Sequence, residues 1–219
     1  MLRSPYPGLF ITFEGVEGCG KSTQTKALVE WLRSRDLAVS LTREPGGTEV
    51  GERCRDILLD NGHAGMRPET ELFLYLASRA EHVDRVIVPR LEAGDVVISD
   101  RYGDASVAYQ GGGRGLGAER VEALNQVATR GVKPDVTFLL DLDPEVGLDR
   151  LVKGRGEHSR DRIESEVLEF HKRVRDTYLE SAAREPDRFV VIDASRSREK
   201  IEAQIAAAVE GLLEGRRGD

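Results

Sequence analysis

The chain has 219 residues, 32 of them Lys or Arg and 39 Asp or Glu, for a formal net charge of -7. That length suits a single α/β domain over residues 1–219, and the acidic balance argues against a polymeric nucleic-acid partner while leaving room for a local cleft that binds small anions. The two cysteines, Cys19 and Cys54, form no C-x-x-C pair, and no secretory segment or 18-residue apolar run is present; disulfides, structural zinc and a membrane partner are not expected, and a cytoplasmic setting is.

Leu9–Phe13 reads as a buried strand, and a helical pattern opens at Lys21. Between them Gly15-Val16-Glu17-Gly18-Cys19-Gly20-Lys21-Ser22 spells G-x-x-x-x-G-K-S. Strand, glycine loop and helix in that order form a phosphate cradle: loop N–H groups and the helix N-terminus attract the anion. Lys21 reaches the β- and γ-phosphates, and the Ser22 hydroxyl suits a Mg²⁺ that bridges them. Leu37–Leu41 then reads as a second strand, ending in the turn-rich Thr42-Arg43-Glu44-Pro45-Gly46-Gly47-Thr48. Ligands of open α/β sheets bind at such carboxyl ends, which places Arg43 near the phosphates.

Residues 48 to 60 read as a helix burying Val50, Cys54, Ile57 and Leu58. A longer helix follows from Pro68 with Leu72, Leu76, Val83 and Ile87 as its buried stripe, leaving Phe73 and Arg79 for other faces. Asp95–Asp100 is a third strand whose apolar run ends in a carboxylate, the Walker B arrangement for Mg²⁺. A helix over Val121–Arg130, a strand over Pro134–Asp141, a long helix from Ile163, a fifth strand at Phe189–Asp193 and a last helix continue the alternation. Residues 150 to 162 carry five Lys or Arg side chains, one histidine and two glycines, the composition of a mobile basic lid. His63, His82, His158 and His171 lie at no metal-ligand spacing and read as ordinary polar residues.

Several segments together resemble the bacterial thymidylate kinase family: Phe13-Glu14-Gly15-Val16-Glu17-Gly18, Thr42–Thr48, Asp100-Arg101-Tyr102 running on to Ala108-Tyr109-Gln110, Leu139-Leu140-Asp141 and Asp161-Arg162-Ile163-Glu164. The resemblance covers about Gly8 to Ser195. It implies a P-loop NTPase three-layer fold, with a five-stranded parallel sheet, helices on both faces and a basic lid. It also implies Mg²⁺-dependent transfer of the ATP γ-phosphoryl group to thymidine monophosphate, by a homodimer.

By the same resemblance, the loop from Gly15 to Ser22, with Arg150, Ala194 and Ser195, binds ATP. Ser22 and Asp100 hold Mg²⁺. Lys21, Glu17, Asp100, Arg101 and the lid residue Arg155 act in catalysis, with Glu17 also meeting the acceptor's sugar hydroxyl. Arg43, Arg79 and Arg101 are similar to acceptor-phosphate ligands, Phe73 to the ring stacked on thymine, Ser106 and Gln110 to base-edge contacts, and Tyr109 to the ring beside deoxyribose. Ala105 replaces a serine common in the family, and the lid is two residues longer than the usual bacterial pattern.

The chemistry fits independently of the resemblance. A phosphate monoester has its second pKa near ~6, so the acceptor is largely a dianion at neutral pH and needs no general base. What it needs is cations that let two anionic groups approach. A GTP-driven switch shares the loop but requires a guanine-reading N-K-x-D, which the chain lacks. A kinase of another nucleoside monophosphate, such as uridylate, is the nearer alternative.

Overall fold

A computed structural model describes residues 5–155 and 160–217, the side chains of Arg155 and Arg217 excepted. Five strands, β1 (Leu9–Glu14), β2 (Val39–Arg43), β3 (Val96–Asp100), β4 (Val136–Asp141) and β5 (Phe189–Asp193), form one sheet in the order β2-β3-β1-β4-β5. Every pairing is parallel. Apolar side chains leave the central strands on both faces, as a sheet covered on two sides requires. Leu9, Ile11, Val96 and Ile98 join a core with Leu28, Leu32, Ile205 and Val209, while Phe10 and Val97 pack on Val83, Ile87 and Leu91.

The helices are α1 (Lys21–Arg33), α2 (Glu49–Leu59), α3 (Pro68–His82), α4 (Val88–Glu92), α5 (Gly103–Ser106), α6 (Ala118–Thr129), α7 (Pro144–Arg155), α8 (Leu168–Arg184) and α9 (Arg198–Arg217). The stripe Leu72, Leu76, Val83 and Ile87 is buried as expected. The single helix expected there is instead α3 and α4 joined by wider, π-type turns over Val83–Ile87. Pro89 lacks the N–H that would bond back one regular turn, which accounts for the change of pitch. A second run of π-type turns, Val107–Gly113, follows α5.

Four local expectations change. The second strand lies at Val39–Arg43 rather than Leu37–Leu41, because pairing with β3 sets Arg43 opposite Asp100. On α2, Cys54 and Leu58 are buried, but Val50 and Ile57 face outward. The first part of the expected lid is helical, since α7 runs to Arg155. Its last residue, Arg162, is no lid cation: it is buried, donating to Leu58 O at 2.7 Å and to Glu71 Oε2 at 2.6 Å.

Candidate active site

The loop between β1 and α1 turns through glycines that no other residue could replace without strain. Gly18 has φ 67°, and a Cβ there would lie 2.1 Å from Gly147 O on α7. Gly20, at φ 99°, caps α1, so the helix N-terminus opens toward the cavity. Lys21 Nζ donates to Gly15 O and Val16 O, each at 3.0 Å. Beside it, Ser22 Oγ donates to Asp100 Oδ2 at 3.0 Å, although 78 residues separate them in the chain. A hydroxyl and a carboxylate converging in this way are hard oxygen donors, and the pair fits Mg²⁺.

Parallel register carries the next groups to the same edge of the sheet. Arg43 and Asp100 are partners across β2 and β3, and Phe13 pairs with Asp100 across β1 and β3. Arg43 Nη2 donates to Glu52 Oε2 at 2.7 Å on a half-exposed rim. Arg101 follows β3 with φ 71°, a conformation costly for a side chain with a Cβ and one that aims its guanidinium back under the loop. It donates to Gly15 O (3.1 Å), Glu17 Oε1 (2.9 Å), Tyr109 OH (2.9 Å) and Tyr178 OH (3.2 Å).

Glu17 is buried at this junction. Tyr109 OH donates to its Oε1 at 2.5 Å, and His171 Nδ1 lies 3.1 Å from its Oε2. Burial alone would raise its pKa, but the adjacent His171 ring and the charges of Arg101 and Lys21 outweigh that and hold it well below the usual carboxylate range. Glu14, at the end of β1, shows the opposite balance. Burial and the charge of Asp104 push it up to about 8, although it accepts from Tyr178 OH at 2.6 Å and Tyr102 N at 2.7 Å.

One cavity of about 490 Å³ joins these groups. Glu17, Gly18, Gly20, Lys21 and Ser22 line it from the loop; Arg43, Asp100, Arg101, Ser106, Tyr109, Gln110 and Arg150 complete the set of expected residues on its wall. Gly15, Val16 and Cys19 form the back of the loop, and Val16 and Cys19 pack into the core. Ala194 and Ser195 lie beyond the rim, where Arg150 Nη1 reaches Ala194 O at 3.4 Å. The Arg155 side chain lies outside the described residues.

Two expected residues are elsewhere. Phe73 is 56% exposed and does not line the cavity; the ring of α3 that does is Tyr75. Arg79 is 1% exposed and beneath the cavity wall, fully engaged with Glu44 (2.7 Å), Ser106 Oγ (2.9 Å), Asn125 Oδ1 (2.6 Å) and Tyr102 O (2.9 Å). It holds up the wall through Glu44 and Ser106, which themselves line the cavity. Two histidines read as ordinary polar residues are likewise internal: His82 sits between Thr42 Oγ1 and Glu44 Oε1, and His171 lies against Glu17.

The family model described as thymidylate kinase matches residues 13–205. The chain belongs to the thymidylate kinase family. It is 50% identical over 206 residues to the thymidylate kinase of Desulfosudis oleivorans, covering 92% of this chain and 96% of that one. It is 49% identical over 207 residues to that of Pelotomaculum thermopropionicum, covering 94% and 95%. The crystal structure of thymidylate kinase from Ehrlichia chaffeensis superposes with a TM-score of 0.74 at 33% identity, over 93% of this chain and 98% of that one. The P-loop α/β architecture is therefore that of the thymidylate kinase family as a whole.

Within that family frame, sequence reasoning missed Tyr75, which lines the cavity, and Glu44, Glu71 and His171, whose partners lie on distant segments. Tyr75 had a local signal, because it lies one helical turn before Arg79 on α3 whereas Phe73 lies on the opposite side. His171, Glu71 and Glu44 had none, since nothing near them in the chain marks their partners.

Proposed function

We propose that the protein transfers the γ-phosphoryl group of ATP to thymidine monophosphate, giving ADP and thymidine diphosphate. The observation that carries this reading is the single cavity in which a phosphate cradle at Lys21 and Ser22 faces Arg43, Arg101, Tyr109 and Tyr75. An oxygen of the acceptor phosphate bonds to the γ-phosphorus while the bond from that phosphorus to its bridging oxygen breaks, its electron pair leaving on ADP. Lys21 and Arg150 lie on the ATP side, Arg43 and Arg101 on the acceptor side, and their charges offset the repulsion between the two phosphates. Ser22 and Asp100 would hold Mg²⁺, which would supply positive charge to offset that of the phosphates. Arg155, at the end of α7, is assigned to the transferring group. Glu17 is set to accept from the sugar hydroxyl, its Oε1 fixed by Arg101 and Tyr109.

Tyr75 replaces Phe73 as the ring proposed to stack on the base. Phe73 belongs instead to an exposed apolar stripe of α3 with Ala77 and Ala80, which supports the homodimer expected for the family. A cytoplasmic location follows from the use of ATP and a nucleotide precursor. ADP release with a panel of nucleoside monophosphates tests the activity: thymidine monophosphate is expected to lead by orders of magnitude over purine acceptors. Equal use of uridine monophosphate would leave a nucleotide kinase but not this substrate.

A further inference from the structure

Gln110 lines the cavity yet is 1% exposed, and its Nε2 donates to Glu71 Oε1 at 2.8 Å. Glu71, in the first turn of α3, has no exposed surface. Arg114 holds both of its oxygens, Nε to Oε1 at 3.1 Å and Nη2 to Oε2 at 2.9 Å, and Arg162 Nη1 adds a bond to Oε2 at 2.6 Å. Arg114 is itself fixed by Glu166 and lies over the Phe170 ring, 4.6 Å from its centroid. Burial alone would raise the pKa of Glu71, but hydrogen bonds from Arg114 and Gln110 and the arginine charges hold it below the ordinary value. It is a carboxylate at neutral pH.

A carboxylate accepts hydrogen bonds and cannot donate them, so the amide nitrogen of Gln110 must be the atom that faces Glu71. The amide oxygen is thereby turned the other way, where no described residue donates to it, and it is the group left for a ligand in the cavity. We infer that Glu71 is a positioning residue for base selection: by pinning the Gln110 amide it presents the base with an acceptor alone. Thymine and uracil carry an N–H at ring position 3 that satisfies this acceptor. Cytosine carries a lone pair there, so two acceptors would meet. An unpinned amide could rotate and offer its NH₂ to cytosine, but here rotation would set the amide oxygen against a buried carboxylate. Arg162, which follows the lid residues in the chain, completes the clamp. The inference rests on the nucleotide-kinase reading and adds the residue that would reject cytosine.

Values of kcat/KM for thymidine, deoxyuridine and deoxycytidine monophosphates test it. The wild type is expected to favour deoxyuridine over deoxycytidine monophosphate by ~10² or more. In Glu71→Gln the new amide can donate or accept, so the ratio should fall by at least ~10-fold, whereas a merely structural loss lowers all three substrates together. An unchanged ratio in folded E71Q overturns the inference. The exchange E71Q/Q110E keeps the net charge of the cluster and covers a single variant that fails to fold. There the amide introduced at position 71 donates to the carboxylate introduced at position 110, an acceptor still faces the base, and the wild-type ratio should persist; its collapse would overturn the inference too. Absence of turnover on thymidine monophosphate in the wild type sinks the kinase reading, while turnover with equal use of uracil and cytosine nucleotides sinks the Glu71 assignment alone.

Discussion

Phe73 and Tyr75 lie two positions apart on α3, about 200° around the helix axis, so they cannot share a face. Base stacking on an aromatic ring is worth ~1 to 3 kcal/mol, so Tyr75→Ala should raise KM for thymidine monophosphate ~10-fold or more with the KM for ATP unchanged. Phe73→Ala should move neither KM; the reverse pattern would return the stacking role to Phe73. Lys21→Ala removes a charge whose ammonium contacts only loop groups in the fold, so kcat should fall by ~10³ or more with little change in Tm. Near-normal turnover would refute the cradle reading. Glu14 carries a pH signature: its pKa rises from the ordinary 4.5 to about 8, so the folded protein keeps a proton that the unfolded chain has released. The stability this group contributes is complete below pH 4.5 and is lost as pH rises toward 8. Glu14→Gln, which keeps the shape of the protonated carboxyl, should flatten the decline of Tm between about pH 6 and 8. A slope equal to the wild type would assign that decline to another group.

Among the elements, α7 meets the phosphate loop at its closest. A Cβ on Gly147 would lie 2.2 Å from Glu17 O, and one on Gly18 would lie 2.1 Å from Gly147 O. Backbone packs on backbone there, with no flexible side chain to give way. Since α7 also carries Arg150 and ends at Arg155, the contact sets where the lid helix starts relative to the cradle. Gly147→Ala should therefore separate the two elements, costing ~1 to 3 kcal/mol of stability and lowering kcat more than the acceptor KM. A wild-type Tm and kcat in that variant would show that α7 can shift without consequence.

For the whole molecule, α3 and α6 present Phe73, Ala77, Ala80 and Val127 to solvent, and Val127 is 78% exposed. The homodimer proposed above would place a second copy over this face and take these apolar groups out of water. Dimers of this kind bury about 1,200 to 2,000 Å² in total, and a carboxylate at the centre of such a surface is seldom tolerated. Sedimentation velocity should show a dimer for the wild type and a monomer for Phe73→Asp. A monomeric wild type at micromolar concentration would end the dimer proposal.

The phosphate loop, the alternation of strands and helices and the carboxylate ending β3 were legible in the sequence because each is local. Glycine spacing dictates the backbone of one loop, and an apolar run dictates one strand, whatever the rest of the chain does. The kinase family was legible for the same reason, as a set of short segments. What tertiary structure alone decided was which side chains meet. Arg162 and Arg79 read as free cations in sequence, yet packing places them against Glu71 and Glu44, 91 and 35 residues away. His171 reads as an ordinary polar residue until α8 lays it against Glu17. A charge in the chain carries no mark of whether it will be solvated or buried, since that depends on desolvation and on a partner delivered by another element.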